Sequence, residues 1–113
     1  MTRMDAVFTF GATGTTTTDY ICAERGFAEI AIVKVPNFTN AITVTISVKD
    51  TDDNVLWTKA AIAKNGSVKF GADIETAKTG CIPIGNGYKI SCVLSGVAGG
   101  TGGIVHAFFY VED

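Results

Sequence analysis

Residues 41–57, AITVTISVKDTDDNVLW, decide the fold. Ile42, Val44, Ile46 and Val48 alternate with Thr43, Thr45, Ser47 and Lys49. A period of two gives one apolar face and one hydroxyl-rich face, the pattern of a half-buried β-strand. The run stops in Asp-Thr-Asp-Asp-Asn, a solvated turn, and resumes as Val55-Leu56-Trp57. Two strands joined by that turn predict a β-hairpin at the centre of the chain.

The rest of the sequence follows the same style. Its 113 residues suit one domain with one core. There are 11 Val, 11 Ile and 15 Thr against 2 Leu, a bias away from helix and toward strand. With 13 Gly as turn punctuation, the expected class is all-β: a single-domain antiparallel sandwich, jelly-roll-like, with an N-terminal extended arm. Residues 1–19 are read as a first strand followed by a flexible Thr/Gly-rich arm, and residues 20–113 as the sandwich. Asn65-Gly66 predicts a two-residue hairpin, because both residues accept positive φ. Asn86-Gly87 predicts a second turn, residues 73–79 a helical turn, and residues 96–103, GVAGGTGG, a flexible loop into a final hairpin.

Composition also narrows the partners. Net charge is −2 and the nine Lys and Arg are scattered singly, whereas a nucleic-acid surface concentrates them. No apolar run approaches the roughly 20 residues that span a bilayer, and the first residues lack an apolar signal segment. The expectation is a chain made in a cytoplasm, with neither nucleic acid nor membrane as partner. Cys22, Cys81 and Cys92 match no metal spacing and read as small buried hydrophobes. Asp50, Asp52 and Asn54 fall at the first ligand spacings of a calcium loop. Val55 and Ala61 then stand where that loop needs Gly and Glu, so the reading is a turn. His106 is the sole histidine, and no nucleophile neighbours it on its strand. No catalytic residue, cofactor or metal is therefore assigned.

Two strands break the half-polar pattern. In the last, Val105, Ala107, Phe109 and Val111 can face a core, yet Ile104, His106, Phe108 and Tyr110 occupy the other side. In residues 26–35, Ala28, Ile30 and Ile32 oppose Phe27, Ala31, Val33 and Val35. At 47% hydrophobic residues, one small core does not cover all of these. Excess apolar surface marks a partner surface, so His106, Phe108, Tyr110, Phe27 and Val33 are the candidate interface residues of a homo-oligomer or of docking onto a larger assembly. Alternatively, Trp57, Tyr88 and Tyr110 could together form a flat platform for sugar rings, as in a carbohydrate- or receptor-binding module.

The order of features adds a resemblance. A Thr/Gly-rich arm leads into GFAEIAIVKVPNFTNAITVTISVKDTDDNVLWTKAAIAKNGSV, then IPIGNGYKISCVLSG, a Gly-rich loop and a terminal VHAFFYVE. Over residues 26–112 this pattern resembles the small β-sandwich structural proteins of tailed bacteriophages, the capsid-decorating or cement proteins in particular. The resemblance implies a jelly-roll-like domain, often trimeric, on the outer surface of a virion, bound to the major capsid protein and bracing the shell. It implies no catalytic residue and no cofactor; the alternative readings are a carbohydrate- or receptor-binding β-sandwich module of a phage tail or fibre, or another virion connector protein.

Overall fold

The computed structural model describes residues 2–71 and 82–112. Among the described residues nine strands run in the order β1 (Thr2–Phe10), β2 (Tyr20–Ile21), β3 (Gly26–Val35), β4 (Thr43–Lys49), β5 (Val55–Ala63), β6 (Gly66–Gly71), β7 (Ile82–Ile84), β8 (Lys89–Leu94) and β9 (Gly103–Glu112). They form two antiparallel sheets packed into a β-sandwich. One is ordered β1-β9-β3-β6, with β7 also on β3, and the other β2-β8-β4-β5. The helical turn expected at residues 73–79 lies outside the described residues, as does Cys81.

The topology grows out of the central hairpin. β4 pairs with β5, β3 with β6 and β7, β2 with β8, and β1 with β9. The chain is thus one long hairpin whose tip is the turn at residues 50–54 and whose ends are the two termini. Rolling that hairpin brings β9 against β3 and β8 against β4, which closes both sheets. This strand order is that of a jelly roll. At the tip, Asp50 Oδ1 accepts from the amides of Asp52 and Asn54 at 2.8 and 2.9 Å, and Oδ2 accepts from Asn54 Nδ2 at 3.0 Å. Those bonds hold the Asp50 carboxyl below its usual pKa, the Asn54 side chain first. Asp53 takes the positive φ of 66°, and its carboxylate pairs with Lys89 Nζ at 2.7 Å. The aspartates therefore build the turn.

The core follows from the alternation. Ile42, Val44, Ile46, Val48, Ile90, Cys92 and Leu94 are all buried, as the period of two requires. Opposite them lie Met4, Ala6, Phe8 and Phe10 of β1 and Val105, Ala107, Phe109 and Val111 of β9. Burying rings such as Phe8, Phe38 and Phe109 contributes about 1.5–3 kcal/mol each. Phe10 and Phe38 meet edge to face at 6.3 Å.

Four expectations need correction. The first strand expected within residues 1–19 is present, since β1 pairs with β9 along its whole length and puts four side chains into the core. The Thr/Gly-rich arm after it, however, is tied to the β8 edge, through the Thr16 bridge to Val93 and the Leu94 amide donating to the Thr15 carbonyl at 2.9 Å. Asn65-Gly66 is not a hairpin turn either. Only Asn65 has positive φ, and β5 and β6 lie in different sheets, so this is a corner between them. Residues 96–103 likewise cross from β8 to β9, in different sheets, and are pinned by the Gly99 amide on the Ala12 carbonyl and by Asn40 Nδ2 on the Val97 carbonyl. Finally, Val33 is fully buried and forms no part of any surface. The cause is a β-bulge at Glu29: Ala28 pairs with Val111 and Ile30 already with Tyr110. The extra residue flips the side-chain parity, so Ala28 points inward before it and Ala31, Val33 and Val35 after it.

Two outcomes check this packing. Ile46→Ala should cost about 2–5 kcal/mol, as large-to-small core changes do; a variant melting within a degree or two of wild type would refute the register. Burial pushes the Cys22 thiol up to about 11 and the Cys92 thiol up to about 12, from the ordinary thiol value of 9.0. A thiol pKa raised on folding leaves stability intact below the unfolded pKa and erodes it as pH climbs to the folded values. Peptide-resolved maleimide labelling at neutral pH should therefore leave Cys22 and Cys92 unmodified until denaturant is added, and rapid native labelling would contradict their burial.

Candidate interaction surface

The two outward sheet faces differ in kind. On the four-stranded sheet, β4 presents Thr43, Thr45, Ser47 and Lys49, and Ser47 Oγ meets Thr58 Oγ1 of β5 at 2.9 Å. Ile21, Val55 and Val93 share that face, opposite Lys89, Lys49 and Thr45, and are exposed, so it mixes hydroxyls with single aliphatic side chains. On the five-stranded sheet the corresponding surface carries a row of rings. β9 presents Ile104, His106, Phe108 and Tyr110, because Val105, Ala107, Phe109 and Val111 take the inward positions.

Strand pairing sets what surrounds this ridge. Phe108 lies between Asp5 of β1 and Ile32 of β3, His106 between Val7 and Lys34, and Tyr110 between Arg3 and Ile30. Phe27, beyond the bulge and opposite Glu112, extends the apolar strip and is 54% exposed. Val7, Ile30 and Ile104 are exposed as well. The His106 and Phe108 rings stack at 5.8 Å with their planes 8° apart. The Arg3 guanidinium sits 5.0 Å from the Phe108 centroid and Lys34 Nζ 5.6 Å from it, so two cations share one ring. His106 Nδ1 is shielded from solvent without a hydrogen-bond partner, and Asp5 Oδ1 stands 3.5 Å away. That separation is too long for a hydrogen bond, and the contact is an ion pair only when the imidazole is protonated. At the Phe27 end the strip meets an open depression of about 550 Å³ bordered by Arg25, Pro83 and Tyr88.

The surface is an aromatic centre with Arg3, Lys34 and Asp5 at its margin. Chemically it offers desolvation and ring contacts. Of the five interface residues expected from sequence, His106, Phe108 and Tyr110 come together in one row and Phe27 stands at its end, while Val33 is in the core. Arg3, Asp5, Val7, Ile30, Ile32 and Lys34 were not foreseen as part of it. The sugar platform is not assembled: Trp57 packs edge to face on the core ring of Phe109 at 6.3 Å, whereas Tyr110 is on the far side of the other sheet. Among the described residues no cluster of His, Cys, Asp or Glu could hold a metal ion. The sequence matches no known family model and shows significant similarity to no curated protein.

The assignment of faces on β9 has a direct check. Phe109→Ala should cost about 3–5 kcal/mol. Phe108→Ala, which loses two exposed cation–π contacts of about 0.5–1 kcal/mol each, should cost clearly less. Equal losses measured by denaturant unfolding would mean that both rings serve the core.

Proposed function

We propose that this protein is a non-enzymatic structural module that docks, through the outer face of its five-stranded sheet, onto the outer surface of a virion shell and braces it. The observation that carries this reading is the row of rings His106, Phe108 and Tyr110, flanked by Val7, Ile30, Ile32 and Phe27, whereas the other outward sheet face sets single aliphatic side chains among its hydroxyls. Contiguous rings and aliphatic side chains on one open sheet face mark a partner surface. The resemblance of residues 26–112 to capsid-decorating proteins supplies the kind of partner: a coat protein that repeats the same docking site across a shell.

The physics of bracing fits a rigid sandwich. A protein that binds only the assembled state stabilises it by mass action, without performing any chemistry. The rim charges orient the contact, while the rings provide most of its energy. Because β9 is held between β1 and β3, the face is presented without an ordering cost at the moment of binding.

The test mixes purified protein with empty shells assembled from the coat protein encoded in the same genome. Wild type should add at a fixed, saturable stoichiometry and raise the melting temperature of the shells. Phe108→Asp should remain folded by circular dichroism and lose at least tenfold in affinity. Absence of binding by wild type, or full binding by the Phe108→Asp variant, would refute the reading.

A further inference from the structure

The geometry points to a second copy of this chain as the occupant of the free edge of β1, forming a two-fold dimer with a continuous sheet. This goes beyond the docking reading and does not depend on what the apolar face binds. Among the described residues β1 ends its sheet and carries β9 on one side only. Its nine residues pair one for one with β9 without a register shift. A long regular edge strand is a template for another strand unless something blunts it. Thr2–Phe10 contains neither proline, lysine nor bulge. The opposite sheet protects its edges: β5 is broken by register shifts, with Ala61 at φ 60°, and β2 is two residues long.

Charge then selects the partner and the register. In an antiparallel pair, residues directly opposite point to the same side, so the outward Arg3, Asp5, Val7 and Thr9 must meet one another across a two-fold axis. Centring the axis on Arg3 or on Asp5 sets like charges face to face. Centring it on Ala6 sets Arg3 against Thr9 and Asp5 against Val7, pairing neither charge. Centring it on Met4 places Arg3 opposite Asp5 of the second copy, and Asp5 opposite its Arg3. This arrangement is self-complementary, as a two-fold interface demands. Because that axis stands perpendicular to the sheet, both His106–Phe108–Tyr110 rows emerge on the same side of the extended sheet. They lie three strand spacings apart, about 14 Å. One dimer thus offers a doubled docking face, in place of the three-fold arrangement that the resemblance implies.

Light scattering on the full chain at tens of micromolar tests this. Wild type should have the mass of a dimer. Arg3→Asp and Asp5→Arg, each confirmed as folded by circular dichroism, should associate at least tenfold more weakly, and the double variant Arg3→Asp/Asp5→Arg should recover the dimer. Hydrogen exchange of wild type at low and high concentration gives a readout free of mutation: alternate β1 amides should gain protection as concentration rises. A wild-type monomer at several hundred micromolar, a trimer mass, single variants that still dimerise, or a double variant that stays monomeric would overturn the proposal.

Discussion

The placement of β9 between β1 and β3 is the constraint on which the rest of the molecule depends. It is apolar on both faces, and the pleat sends alternate residues to opposite destinations. Inward, Val105, Ala107, Phe109 and Val111 are essentially without solvent contact and meet the β1 side chains in the core. Outward, His106, Phe108 and Tyr110 form the centre of the exposed apolar face. Neither set can change without consequences for the other, because a slip of one residue would exchange them. The two cations over Phe108 and the Asp5 carboxylate beside His106 come from β1 and β3, so the strands that hold β9 in place also decorate its outer row.

Much of the fold was legible because it is written in periods of two. The β4–β5 hairpin, the inward set on β4 and β8, and the split faces of β9 follow from side-chain alternation alone. Three features escaped for physical reasons. The bulge at Glu29 shifts parity within β3, so a single period assigned to residues 26–35 misplaces Val33. Asn65-Gly66 and the Gly-rich residues 96–103 are local turn signals, and a local signal does not say whether the next strand joins the same sheet or the facing one. The arm at residues 11–19 offers few anchoring side chains, and what fixes it is backbone pairing to β8, which composition does not encode.

The candidate surface was legible to a similar degree. Its aromatic row could be read from the last strand. Its margin could not, because Arg3, Asp5 and Lys34 reach Phe108 and His106 only after strands distant in sequence are placed side by side. The proposed docking rests on the row of rings along β9. The outward side of β4 joins one hydroxyl pair, Ser47 with Thr58, to single exposed aliphatic residues, and the β9 face gathers half-buried rings in one line. A rigid body with one adhesive side is what a brace requires, and a free sheet edge beside that side supplies a route to repeating it.

Residue-resolved hydroxyl-radical footprinting of the protein, free and bound to assembled shells, tests the central claim most directly. Binding through the outer face of the five-stranded sheet predicts strong protection of Phe27, His106, Phe108 and Tyr110, with Leu56 and Val93 remaining as reactive as in the free protein. Unchanged reactivity of the β9 row, or protection concentrated at Leu56 and Val93, would contradict it.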